Sequence, residues 1–127
     1  MKATLSNYRQ PPRKVRLLAD YLRGKKVTDA LVELKFVGKK ASGPIAKLIN
    51  SAVANAKNNF KKEADDLYIK TIKIDKGVVM RRFMPRARGR ATPLRHRTSH
   101  INIELDEAIA SPLVVKTKKV AKVTKAK

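Results

Sequence analysis

Between Met80 and His100 the chain reads MRRFMPRARGRATPLRHRTSH, which holds seven of its eleven arginines and no lysine, aspartate or glutamate. A hydrophobic core cannot absorb such a run, because a buried, unpaired cation costs far more than its methylenes return. The flanking runs are strand-like. Leu67 to Ile74 is rich in Ile, Tyr and Thr, and Ile101-Asn102-Ile103-Glu104-Leu105 alternates apolar and polar residues. Two strands joined through an arginine segment with Gly89 near its middle make a long β-hairpin, the glycine supplying a positive φ at the bend. Arms of about ten residues at roughly 3.3 Å each reach about 33 Å. A two-stranded ribbon of this kind is marginal in water, so its working state requires an anionic surrounding.

Charge then names the class of partner. Thirty-one basic residues stand against 10 acidic ones, for a formal charge of +21 and a pI near 10.7. That field points first to nucleic acid and second to an anionic membrane. No apolar run approaches the roughly 18 residues that span a bilayer, and the N-terminus has no signal-peptide core, so a soluble intracellular protein is expected. The chain has no cysteine and no tryptophan, with three Phe and three Tyr. Stacking platforms for single strands are therefore scarce, and phosphate and shape contacts should dominate.

A chain of 127 residues is one domain with extensions. Met1 to Ser6 is a short strand with Ala3 and Leu5 on one face. Arg13 to Arg23 is a helix burying Val15, Leu18, Ala19 and Leu22, stopped by Gly24, with Arg13, Lys14 and Arg16 on its other face. A second helix runs from an N-capping Thr28 to Val37, with Ala30, Leu31, Leu34 and Val37 inward and Gly38 after it; Lys25-Lys26 and Lys39-Lys40 flank it. In the third, Ser42 caps, Pro44 occupies the first turn, and Ile45, Leu48, Ile49, Ala52, Val53, Ala56 and Phe60 form the buried stripe. Apolar parity switches between Leu67, Ile69 and Ile72, Ile74, which implies a bulge or burial on both sides. Residues 1–109 thus form the domain, with the hairpin at about 76–100, and residues 110–127 form a flexible lysine-rich tail.

Enzymatic readings lack their residues. His96 and His100 have no cysteine or carboxylate beside them for a metal, and four strand residues apart they stand roughly 13 Å from each other. Ser99 and His100 are adjacent in a strand and point to opposite faces, so they do not pair as nucleophile and base. No catalytic residue, metal site or cofactor is expected.

Residue spacing also carries a resemblance. Arg81, four residues, Arg86-Ala87-Arg88-Gly89-Arg90, nine residues, then His100-Ile101-Asn102-Ile103-Glu104-Leu105 resembles the signature of the bacterial-type large-subunit ribosomal protein L22 (uL22) family. Pro12 to Leu17, Arg23-Gly24-Lys25, Ser51 to Ala56, Leu67 to Lys70 and Arg97 to Ile101 extend it, while the tail after Ala110 lies outside. The resemblance implies an α+β fold: three helices packed on a small three-stranded antiparallel sheet, with a long protruding hairpin. It also implies a cytoplasmic, structural, rRNA-binding role in the large ribosomal subunit. In that family the globular part lies near the exit of the nascent-peptide tunnel, and the hairpin penetrates 23S-type rRNA with its tip beside protein L4. Carried over, Arg86, Arg88, Gly89 and Arg90 form the tip, while Arg81, Arg82, Arg95, Arg97 and His100 line the arms against rRNA. Arg9, Arg13, Lys14, Arg16, Lys25, Lys39, Lys40, His96 and Ser99 complete the expected RNA-binding set.

Two other classes share the charge. An architectural DNA binder would hold duplex DNA as tightly as structured RNA. A membrane-active protein would need an amphipathic helix with a basic polar face, where the third helix has Asn55, Asn58 and Asn59.

Overall fold

The two runs flanking the arginine segment pair with each other over their whole length, and this ribbon is the spine of the molecule. A computed structural model describes residues 1–107, so the expected tail lies outside the described residues. Strand β1 (Lys2–Tyr8) is followed by helices α1 (Pro12–Leu22), α2 (Val27–Phe36) and α3 (Ser42–Phe60), then by strands β2 (Leu67–Pro85) and β3 (Ala91–Glu107). The strands form one antiparallel sheet in the order β1-β3-β2. This is the expected α+β architecture, three helices with a three-stranded antiparallel sheet and a long hairpin.

Ile101, Ile103 and Leu105 of β3 are fully buried or nearly so, opposite Ile74, Ile72 and Ile69 of β2. The parity switch in β2 is a bulge: Ile69 pairs with Leu105 and Thr71 with Glu104, leaving Lys70 without a partner. The extra residue lets Leu67 and Ile69, then Ile72 and Ile74, all face inward. β1 has a weak strand pattern but is held by its neighbour, with Ala3 opposite Ile103 and Leu5 opposite Ile101.

Helix α1 buries Val15, Leu18, Ala19 and Leu22 as expected and begins one residue early, at Pro12, whose missing N–H costs nothing in a first turn. Two capping expectations need correction. Thr28 does not cap α2: the helix starts at Val27 behind Lys26, with no side-chain cap. Lys26 instead has its backbone held by a bridge to Tyr68 of β2, so the sheet sets the start. Ser42 does not cap α3 either. It is the first helical residue, and its buried hydroxyl donates to the Val37 carbonyl at 2.8 Å, tying the end of α2 to the start of α3. Along α3 the stripe from Ile45 to Ala56 is buried, but Val53 is only partly so and Phe60 is 57% exposed. The stripe ends at Ala56 because the helix outruns the sheet there and closes on Lys61 in a left-handed conformation.

β2 lies at an edge of the sheet, and α1 covers that edge. The Gly24 amide donates to the Ile69 carbonyl and the Ile69 amide to the Lys25 carbonyl, both at 2.9 Å. Arg16 on α1 and Arg23, which caps its C-terminal end, donate guanidinium N–H groups to the carbonyls of Ile74 (3.0 Å) and Ile72 (3.2 Å). The edge is thereby satisfied along the globular part, which removes a template for strand addition.

Candidate nucleic-acid interface

Where α1 stops, the β2–β3 pair continues alone. A second bulge marks the transition: Lys76 pairs with Ser99 and Val79 with Arg97, so Gly77 and Val78 together oppose Thr98. Thr98 donates its hydroxyl to the Val78 carbonyl at 2.8 Å. A side chain at Gly77 would collide with Thr98 Oγ1 and crowd His100, so glycine is required there by close approach. The sequence reading missed this residue; an isolated glycine in a strand pattern was the available signal.

Beyond the bulge the pairing runs from Val79 opposite Arg97 to Pro85 opposite Ala91, and every residue from Arg81 to Arg97 is exposed. Strand alternation puts Arg81, Arg95 and Arg97 on one face and Arg82 and His96 on the other. At the tip the Arg86 amide donates to the Arg90 carbonyl at 2.8 Å, and Arg88 and Gly89 adopt φ of +58° and +66°. Gly89 therefore plays the expected role at the bend, and Arg88 shares it despite its Cβ. None of the chain's acidic residues falls between Lys76 and Ile103, and no ion pair among the described residues involves a hairpin arginine.

The rest of the expected set divides. Arg13 and Lys14 are exposed on α1, and Arg16 is exposed although one N–H serves Ile74. Lys14, Lys39 and Lys40 come together on an open groove of about 690 Å³ whose wall includes Leu17, Leu18, Tyr21 and Val37. Tyr8 donates its hydroxyl to the Lys40 carbonyl at 3.1 Å, and partial burial pushes that phenol's pKa up. Lys25 is engaged within the protein: it bonds Glu33 and lies 3.6 Å from the centre of the Tyr21 ring. The Glu33 bond holds the lysine's pKa above its ordinary value and the carboxyl's below.

Ser99 differs most from the expectation. It is fully buried, and its hydroxyl donates to the Gln10 carbonyl at 3.0 Å, so it holds the loop before α1 rather than facing a ligand. It points inward because its parity is that of Ile101 and Ile103. His100 is half-buried, and its Nδ1 accepts the Asn7 amide at 3.2 Å, which leaves Nε2 near Gly77. Arg23 was not among the expected residues, and it too reaches the sheet edge, with Asp20 beside it at 3.4 Å. Among the described residues no group of three potential metal ligands lies together, and no helix is long and apolar enough to cross a membrane.

A covered core carrying a bare arginine ribbon is the geometry that the sequence resemblance implies, and comparison with known proteins bears on it directly. The family model for ribosomal protein L22p/L17e matches residues 3–106, which takes in both the globular part and the hairpin. The chain is 49% identical over 106 residues to the large ribosomal subunit protein uL22 of Herpetosiphon aurantiacus, covering 84% of this chain and 94% of the relative. It is 49% identical over 107 residues to the uL22 of Bdellovibrio bacteriovorus, covering 84% and 97%. To that of Mycoplasma capricolum it is 52% identical over 106 residues, covering 84% and 96%. These are ribosomal components, not enzymes. With nearly the whole of each relative matched and the arginine hairpin inside the match, the chain belongs to the ribosomal protein L22p/L17e family.

Proposed function

We propose that this protein is a structural rRNA-binding component of the large ribosomal subunit in the cytoplasm, that it supports subunit assembly, and that it acts through the hairpin of its single domain. The observation that carries this is the exposed run from Arg81 to Arg97, projected from a buried core and without any acidic neighbour of its own. Guanidinium groups fork onto phosphates and stay charged at any physiological pH, so a paired backbone presenting them at fixed spacing suits a folded RNA better than a flexible basic segment would.

In this reading the hairpin enters 23S-type rRNA, with Arg81, Arg82, Arg95, His96 and Arg97 along the arms. Arg86, Arg88, Gly89 and Arg90 form a tip that lines the nascent-peptide tunnel beside protein L4 and meets the nascent chain. The globular part lies near the tunnel exit, and its contacts to RNA come from Arg9, Arg13, Lys14, Arg16, Lys39 and Lys40. Ser99, His100 and Lys25 support these surfaces from within. Ultraviolet crosslinking in cell lysate, followed by sequencing of the attached nucleic acid, RNA and DNA alike, tests the reading. Large-subunit rRNA crosslinked through hairpin residues is expected; equal recovery of duplex DNA or unrelated RNA would overturn it.

A further inference from the structure

Arg9 stands far from the hairpin in sequence and next to it in space. Leu5 pairs with Ile101 and Tyr8 with Ser99, so Ser6 and Asn7 together oppose His100. Asn7 takes a φ of +55°, and its amide donates to His100 Nδ1 at 3.2 Å. Gln10 donates its amide to the Tyr8 carbonyl at 2.8 Å, and its own carbonyl accepts the Ser99 hydroxyl at 3.0 Å. The turn that presents Arg9 is therefore fastened to β3 on both sides.

This turn closes a pocket of about 160 Å³ at the hairpin's base, lined by Arg9 and Pro11 from the turn and by Met80, Arg95, His96, Arg97 and Thr98 from the two strands. No carboxylate lines the pocket, and none of its three arginines takes part in an ion pair among the described residues. Three arginines on one lining make the pocket strongly cationic and favour an anion with several acceptor oxygens. The apolar walls favour an anion with a carbon skeleton over a hydrated ion. The space is also small beside the roughly 300–1,000 Å³ of sites for drug-sized ligands. We infer that this pocket is a discrete site for one phosphodiester group of an RNA strand running along the hairpin arm, with the adjoining ribose against Pro11 and Met80. The inference rests on the rRNA-binding reading above and adds to it a single phosphate grip that depends on Arg9.

Phosphorothioate interference tests it, with large-subunit rRNA carrying random substitutions and the full chain as ligand. Arg9 is exposed and its turn is held through backbone groups, so Arg9→Gln keeps the fold. The wild type should show a phosphate whose substitution impairs binding. Arg9→Gln should erase that one signal and lower affinity about 10- to 100-fold. Arg9→Lys should not restore the signal, since an ammonium lacks the fork. Lys47→Ala, removing an exposed charge on α3, should leave the map intact and cost only a few-fold. Equal losses for Arg9→Gln and Lys47→Ala with an unchanged map would overturn the site while leaving the rRNA-binding reading in place. A wild type that does not bind the rRNA would overturn that reading, and the site with it.

Discussion

Arg81 and Arg95 stand directly opposite each other across the hairpin, as paired residues of β2 and β3. Like charges in that position repel, and opposite charges attract by roughly 0.2–1 kcal/mol relative to an uncharged pair. The hairpin is thus built with an internal strain that an external anion relieves. In the isolated protein, backbone amide relaxation should report greater mobility for residues 81–97 than for the sheet, and binding of RNA should suppress it. Arg95→Glu should slow amide exchange in the outer hairpin while weakening RNA binding. Rigid behaviour of this segment in the free wild type would contradict the account.

Gly77 should tolerate no side chain. Gly77→Val forces its Cβ onto Thr98 Oγ1, which is held by its bond to Val78, and we expect a loss of about 1–3 kcal/mol in chemical denaturation. Thr98→Ala relieves the clash at the cost of that hydrogen bond, so the double variant should lose less than the sum of the two single ones. Strict additivity would mean that the contact between these residues is not the cause.

The tip is remote from the core, and Arg86–Arg90 closes the ribbon beyond the last paired residues, Pro85 and Ala91. Replacing this loop with Asn-Gly, which favours a tight hairpin turn, should leave the melting temperature of the domain within a few degrees. The variant should still enter large subunits in cells, because the arm arginines remain, and, if the tip lines the tunnel as proposed above, the response to tunnel-binding inhibitors should change. Exclusion from subunits would make the tip an assembly anchor.

On the open face of the sheet, Lys2 meets Glu104 at 2.9 Å and Lys70 meets Asp106 at 2.7 Å; away from the sheet, Glu33 of α2 bonds Lys25 in the loop before it. Each carboxyl is held below its ordinary pKa, chiefly by its lysine hydrogen bond. They ionise more readily in the folded state than in the unfolded one. Their contribution is therefore complete above the ordinary carboxylate range near 4 and disappears as pH falls through the lower folded values. Thermal melting should be nearly flat from pH 7 to 5 and decline below about 4. Glu104→Gln with Asp106→Asn should flatten that decline; an unchanged acid limb would show these pairs to be without weight.

Much of this protein is written in local pattern. The inward parity of Ile101, Ile103 and Leu105, the face of α1 from Val15 to Leu22, the parity switch in β2 and the bend at Gly89 are all readable from periodicity and residue type, because each depends on neighbours within a few positions; that the switch is a bulge rather than burial on both sides is decided by the pairing with β3. The acid-free arginine run is legible for the same reason, since charge density along a ribbon is a property of consecutive residues. Partnerships across the fold leave no such trace. Only the tertiary structure sends the Arg16 and Arg23 guanidiniums to the β2 edge, uses Ser42 to join two helices and turns Ser99 inward to hold Gln10. Only it brings Arg9 to the hairpin's base. A hydrogen bond between residues tens of positions apart is chosen by which groups packing leaves unsatisfied, and that is decided when the sheet and helices meet.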